Sequence, residues 1–124
     1  MSANAWFKSF TITGAAGDKT IVKFTANRGE VAPATAATDK IAGVLALAAT
    51  GAGQVVDVAM GGVHEVVAGG VIAAGDLLTT DANGAAVPAV FAAGAARHVI
   101  GKALVPAVAG DIFPYLVAPS VIAG

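Results

Sequence analysis

The residues able to do chemistry are few, and their spacing works against most reactions. The two histidines, His64 and His98, stand far apart in the chain. His64 and Glu65 are neighbours in a segment that alternates like a strand, so their side chains point to opposite faces and do not chelate one ion. Asp76 and Asp111 occupy corresponding Gly-Asp turns, where capping of free turn amides explains them better than paired acid and base roles. The only serines are Ser2, Ser9 and Ser120, none of them in a nucleophile elbow. Cysteine is absent, which removes disulfides, thiolate metal sites and thiol nucleophiles. No glycine cluster leads into Lys-Ser or Lys-Thr as a phosphate loop does. The expectation is a protein that is not an enzyme and holds no cofactor and no metal.

Contact is the alternative to chemistry, and the composition favours it. Charged residues make up 12% of the 124 positions, against about 25% in an ordinary soluble domain. A monomer of 11.9 kDa exposes roughly 6,000 Å², so each charged side chain would serve about 400 Å². So sparse a charge suits a surface largely covered by partners. Charge is also uneven, with a net +2 through Lys40 and −3 beyond it. That asymmetry can help subunits dock, but it is far too weak for nucleic-acid binding. The N-terminus, MSANAWFKSF, lacks the basic and apolar regions of a secretory signal. Mean hydropathy is high at +0.78, yet the longest uncharged run, 41–56, is interrupted by glycine and too short for a membrane span.

The elements that must position any contact read as short strands. A turn of the type Gly-polar-apolar recurs as Gly29-Glu30-Val31, Gly53-Gln54-Val55, Gly75-Asp76-Leu77 and Gly110-Asp111-Ile112. Glycine takes the backbone angle, the polar side chain caps amides, and a strand follows. Period-two patterning predicts strands near 6–13, 20–25, 41–47, 54–60, 63–68, 76–80, 98–105 and 111–117, with a weak segment at Val31. An edge strand is expected at 85–89, where Pro88 lies. Gly61-Gly62 reads as a hairpin turn joining 54–60 to 63–68. Segment 89–96 reads as a loop or one helical turn. Residues 41–49 admit a second reading, a helix capped by Thr38 and ended by Gly51. Against it stand Gly43 and the match of Ile41-Ala42-Gly43-Val44 with Val99-Ile100-Gly101-Lys102. The fold class expected is all-β: one small barrel-like domain over 1–124, with an N-terminal arm at about 1–12 and a tail at 118–124.

Thr38-Asp39-Lys40-Ile41-Ala42 resembles the lysine hairpin of lipoyl or biotinyl carrier domains. That family places two Gly-polar turns closely upstream of the lysine, whereas here only Gly29-Glu30-Val31 lies in that region. A carrier domain stays an alternative, as does a shell or fibre protein that assembles alone.

A wider resemblance runs from about Thr20 to Val117. It is carried by Asp39-Lys40-Ile41-Ala42-Gly43-Val44, Gly53-Gln54-Val55-Val56-Asp57-Val58 and Gly62-Val63-His64-Glu65-Val66. Ala73-Ala74-Gly75-Asp76-Leu77-Leu78, Asp81-Ala82-Asn83-Gly84-Ala85-Ala86, Ile100-Gly101-Lys102-Ala103-Leu104 and Ala109-Gly110-Asp111 complete it. In that order the pieces resemble the head-decoration, or capsid cement, proteins of tailed bacteriophages. The resemblance implies a β-tulip domain, made in the host cytoplasm and bound to the outside of the virion. It implies a homotrimer, with a dimer open, that bridges neighbouring copies of the major capsid protein and strengthens the lattice. It implies no membrane and no direct nucleic-acid partner. Trp6, Phe7, Lys8 and Phe10 are the candidate residues for contact with the capsid protein or an adjacent protomer, because aromatic anchors carry interface energy out of proportion to their number. The alternative is that Trp6 and Phe10 fill the domain's own core.

Overall fold

The computed structural model describes residues 6–90 and 96–123, with side chains through 122. The described residues form ten strands and no helix: β1 Trp6–Ile12, β2 Ile21–Phe24, β3 Glu30–Pro33, β4 Ile41–Leu45, β5 Val55–Gly61, β6 Val63–Val67, β7 Leu77–Thr80, β8 Ala86–Pro88, β9 Ala96–Ala103 and β10 Ile112–Ala123. The all-β class is therefore as expected. At 41–45 the strand forms, and β4 pairs with both β2 and β5. Gly43 explains why: a Cβ there would collide with the Ala59 carbonyl oxygen of the neighbouring strand. Gly101 meets the Leu116 carbonyl in the same way.

That match is one instance of a duplication. The first half orders its strands β1-β3-β2-β4-β5 and closes into a barrel through β5 and β1. The second orders them β6-β10-β9-β7-β8. Adding five to each strand number converts one set into the other: β1–β5 becomes β6–β10, β2–β4 becomes β7–β9, and β4–β5 becomes β9–β10. Even the parallel β1–β3 pair has a counterpart, in the single Ala68–Ala86 bridge. Registers agree as well, Phe10 facing Val56 as Val66 faces Phe113.

Several expectations change in this light. Gly61-Gly62 turns no hairpin, since β5 pairs with β1 and β4 while β6 pairs with β10. It joins the two halves. Among the four Gly-polar turns, Gly53-Gln54 matches Gly110-Asp111, but Gly29 matches Gly84, as the parallel bonds Thr13 N–H to Val31 O and Gly69 N–H to Ala86 O require. The mate of Gly75 is Lys19, which also has a positive φ, 56°. Residues 6–12 make β1, within the strand expected near 6–13, and 118–123 continue β10 along β9. Residues 1–5 and most of segment 89–96 lie outside the described residues.

Alternation along each strand fills two interiors. One holds Phe10, Ile12, Val22, Val31, Ala42, Leu45, Val56 and Val58; the other holds their mates, among them Val66, Leu78, Ile100, Phe113 and Tyr115. Each such side chain contributes about 1.5–3 kcal/mol when fully buried. Three first-half residues, Ile21, Ala34 and Val44, belong to the second cluster. They lie beneath the second half and bind the two together.

The joint is made by backbone too. In the first half the Thr11 N–H donates to Gly29 O and shuts the seam between β1 and β3. At the matching place the Val67 N–H donates to Lys19 O, and Gly84 O accepts from the Ile21 N–H. Segment 19–21 of the first half thus enters the seam of the second.

Candidate interaction surfaces

The four residues singled out at the N-terminus separate in the structure. Phe10 points into the first barrel and is only 6% exposed. Trp6 is 62% exposed and Phe7 43%. A bulge between them, opposite Met60, puts both on the outer face: Trp6 pairs with Gly61 and Phe7 with Ala59. The Trp6 indole lies over Gly61, in the space a Cβ would fill. Phe7 meets the His64 ring edge-on, centroids 5.3 Å apart. Lys8 is exposed, its Nζ 5.6 Å from the centre of the Phe10 ring. Phe10 in turn touches Phe24, half out of the barrel mouth, at 6.0 Å. Trp6 and Phe7 are therefore the available anchors, while Phe10 holds the strand that presents them.

The titratable groups have structural partners. Asp76 accepts from the Ala73 amide and Asp111 from the Val108 amide, at 2.9 and 3.0 Å, the capping geometry expected of them. Gln54 does the same for Thr50. Glu30 departs from this pattern: Asn27 and then Thr25 bond its carboxylate and hold its pKa below the ordinary value. Burial pushes the Asp39 carboxyl up, but amides of Thr35 and Ala36 and the nearby Lys23 charge outweigh it, so it too lies low. His64 is buried where the halves meet, its Nε2 3.3 Å from Leu45 O. Burial holds its pKa below 6.5 despite that bond. Among the described residues no group of three or more His, Asp or Glu is placed to hold a metal ion. Lys40 is exposed between β3 and β4, which flank β2 rather than pairing, so it does not stand at a hairpin tip.

Exposed apolar surface lies elsewhere as well, and the sequence pattern did not single it out. Leu47 and Val55, both strongly exposed, line a groove of about 160 Å³ beside Asp57. Their mates Val105 and Ile112 are exposed on the second half. A shallow recess at the first barrel's mouth is lined by Lys23, Phe24, Asp39 and Lys40. On the outside of the second half, Leu77, Lys102, Leu116 and Val63 form a row across four strands. Leu77 is 43% and Leu116 39% exposed. Apolar residues on both faces of one strand were the available signal; a search for alternation discards it.

No protein-family model matches the chain, and no curated protein matches it in sequence. Among solved structures it is similar to the crystal structure of the head fiber gp8.5 N base of bacteriophage phi29. The two are 22% identical and superpose with a TM-score of 0.69 over 91% of this chain and 95% of that one. Over nearly its whole length, the chain has the fold of that head-fiber base.

Proposed function

We propose that the protein is a structural component of a phage virion, bound to the outer capsid surface, where it stabilises the lattice of the major capsid protein. The observation that carries this reading is the likeness to a phage head-fiber base across almost all of both chains. Support comes from the exposed anchors Trp6 and Phe7, which lie side by side on a rigid barrel strand and so lose little freedom on binding. A ligand that binds only the assembled lattice stabilises it by mass action, and several bound subunits add avidity. The neighbour's description as a base favours a second, narrower reading, in which the chain is the foot that seats a longer appendage on the shell.

The test uses heads of the encoding phage assembled without this protein. Co-sedimentation is expected to saturate at micromolar concentration, and the bound heads to withstand a higher temperature before releasing DNA. Replacing Trp6 and Phe7 by serine is expected to weaken binding by at least about 30-fold, as loss of an aromatic hot spot does. Wild-type protein that ignores the heads would defeat the proposal. Visible fibres crowning the decorated heads only when a longer chain is supplied would favour the second reading.

A further inference from the structure

Two rows of side chains occupy the same place on the two halves. On the first half the row is Ile21, Val44, Ala59 and Phe7, in the register Ile21–Val44, Val44–Ala59, Ala59–Phe7. On the second it is Leu77, Lys102, Leu116 and Val63, with the same three pairings. Ile21, Val44 and Ala59 are fully buried, and Ile21 and Val44 pack into the core of the second half. Their mates Leu77, Lys102 and Leu116 are exposed. The chain therefore shows what covers such a row: another half of its own kind, presented back to front.

We propose that the row Leu77–Lys102–Leu116–Val63 binds a second copy of this chain, through the face of that copy's first half corresponding to the one that covers Ile21 and Val44. The covering face is marked inside the chain by His64 and His98, whose backbone or ring reaches Leu45 and Ala37 of the first half. Its equivalent on the first half carries Lys8 and Lys40, both exposed. The row is flanked by Asp76, which precedes Leu77, and by Glu65, two residues past Val63, so opposite charges rim the contact. Lys102, at the centre, has an aliphatic stem long enough to cover the leucines in the contact while its charge stays at the margin. The contact is weaker than the internal one. The first half's seam is shut by the Thr11–Gly29 bond, so the backbone insertion made by segment 19–21 is not repeated. A front-to-back contact of this kind is heterologous and builds rings or filaments rather than isolated pairs.

This inference is independent of the virion reading, because it is tested on the purified chain alone. Sedimentation equilibrium is expected to show reversible association at micromolar concentration. Leu77→Glu with Leu116→Glu is expected to weaken it by at least about 30-fold, while Val71→Ser, at an exposed position outside the row, leaves it unchanged. Lys102→Val, which makes the exposed row resemble the covered one, is expected to tighten it roughly tenfold. On the unmodified protein, amide exchange at 76–78, 101–103 and 115–117 should slow as concentration rises. That measurement decides the matter even if the double variant fails to fold. A wild-type chain that stays monomeric at high micromolar concentration, a double variant that associates as before, or protection confined to other strands overturns the proposal.

Discussion

The two halves share a wiring diagram but place their large side chains on different strands. In the first barrel the bulk comes from β1, with Phe10 and Ile12, while β5 supplies Val56 and Val58. In the second the contribution is reversed: β6 supplies the smaller Val66, with Ala68 just beyond it, and β10 supplies Phe113 and Tyr115. Since Phe10 faces Val56 and Val66 faces Phe113, each large residue meets a small one across the same pair of strands. The backbone tolerates either arrangement because the interior needs a total volume, not particular residues at particular places. Strand wiring is set by the glycines at bulges and by alternation; the identity of the interior residues is free to drift in compensating pairs.

The sharpest way to break this comparison is to remove the large partner from each half. Phe10→Ala and Phe113→Ala are each expected to cost about 3–5 kcal/mol. The small partners Val56→Ala and Val66→Ala should cost less, about 1.5–3 kcal/mol. Urea denaturation measures both. Equal losses at large and small positions would mean that volume is not exchanged in this way.

A smaller effect separates the halves by acidity. His64 is buried and its mate Lys8 exposed. Because the folded protein holds the His64 pKa below the ordinary value, the unfolded chain binds the proton more readily. Stability is then fully present above about pH 6.5 and falls as pH drops through that value toward the folded pKa. Lys19, Glu65 and Asp18 act on the ring electrostatically, with burial dominant. Thermal unfolding between pH 7.5 and 5 is expected to show this decline, and His64→Gln to flatten it. An unchanged slope in the variant would assign the decline to other groups.

The smallest expected effect concerns Tyr115. It is fully buried, and among the described residues its hydroxyl has no hydrogen-bond partner. Burial raises its pKa, so it stays neutral. Its mate Val58 fills the same position without a polar atom. Tyr115→Phe is accordingly expected to change stability by less than about 1 kcal/mol, in the stabilising direction. A clear loss would reveal a partner for the hydroxyl.

Much of this was legible in the residues, for reasons that differ by position. The period-two segments and Gly-polar turns gave the strands, because alternation and turn chemistry are local. The match of Ile41-Ala42-Gly43-Val44 with Val99-Ile100-Gly101-Lys102 was the trace of duplication, carried by a glycine that both sheets need. The hairpin at Gly61-Gly62 was misread because a tight connection does not say which strands it leaves adjacent. β3 was underrated because it is short, small and ends in Pro33, although it pairs antiparallel with β2 and parallel with β1. For the surface, the aromatic cluster at Trp6 and Phe7 stood out by type. The row from Leu77 to Val63 did not, since its members are drawn together only by pairing across four strands.

The segment at 19–21 that enters the second half's seam also sets an order of events. The first half is made first, and every bond that closes its barrel, the β1–β5 pairing and the Thr11–Gly29 bond, lies within it. The second emerges with an open seam whose Val67 and Gly84 groups find their partners on Lys19 and Ile21. The earlier half thus acts as a template on which the later one finishes folding. Cut free of it, residues 63–124 would be left with an exposed strand edge, the usual starting point for aggregation.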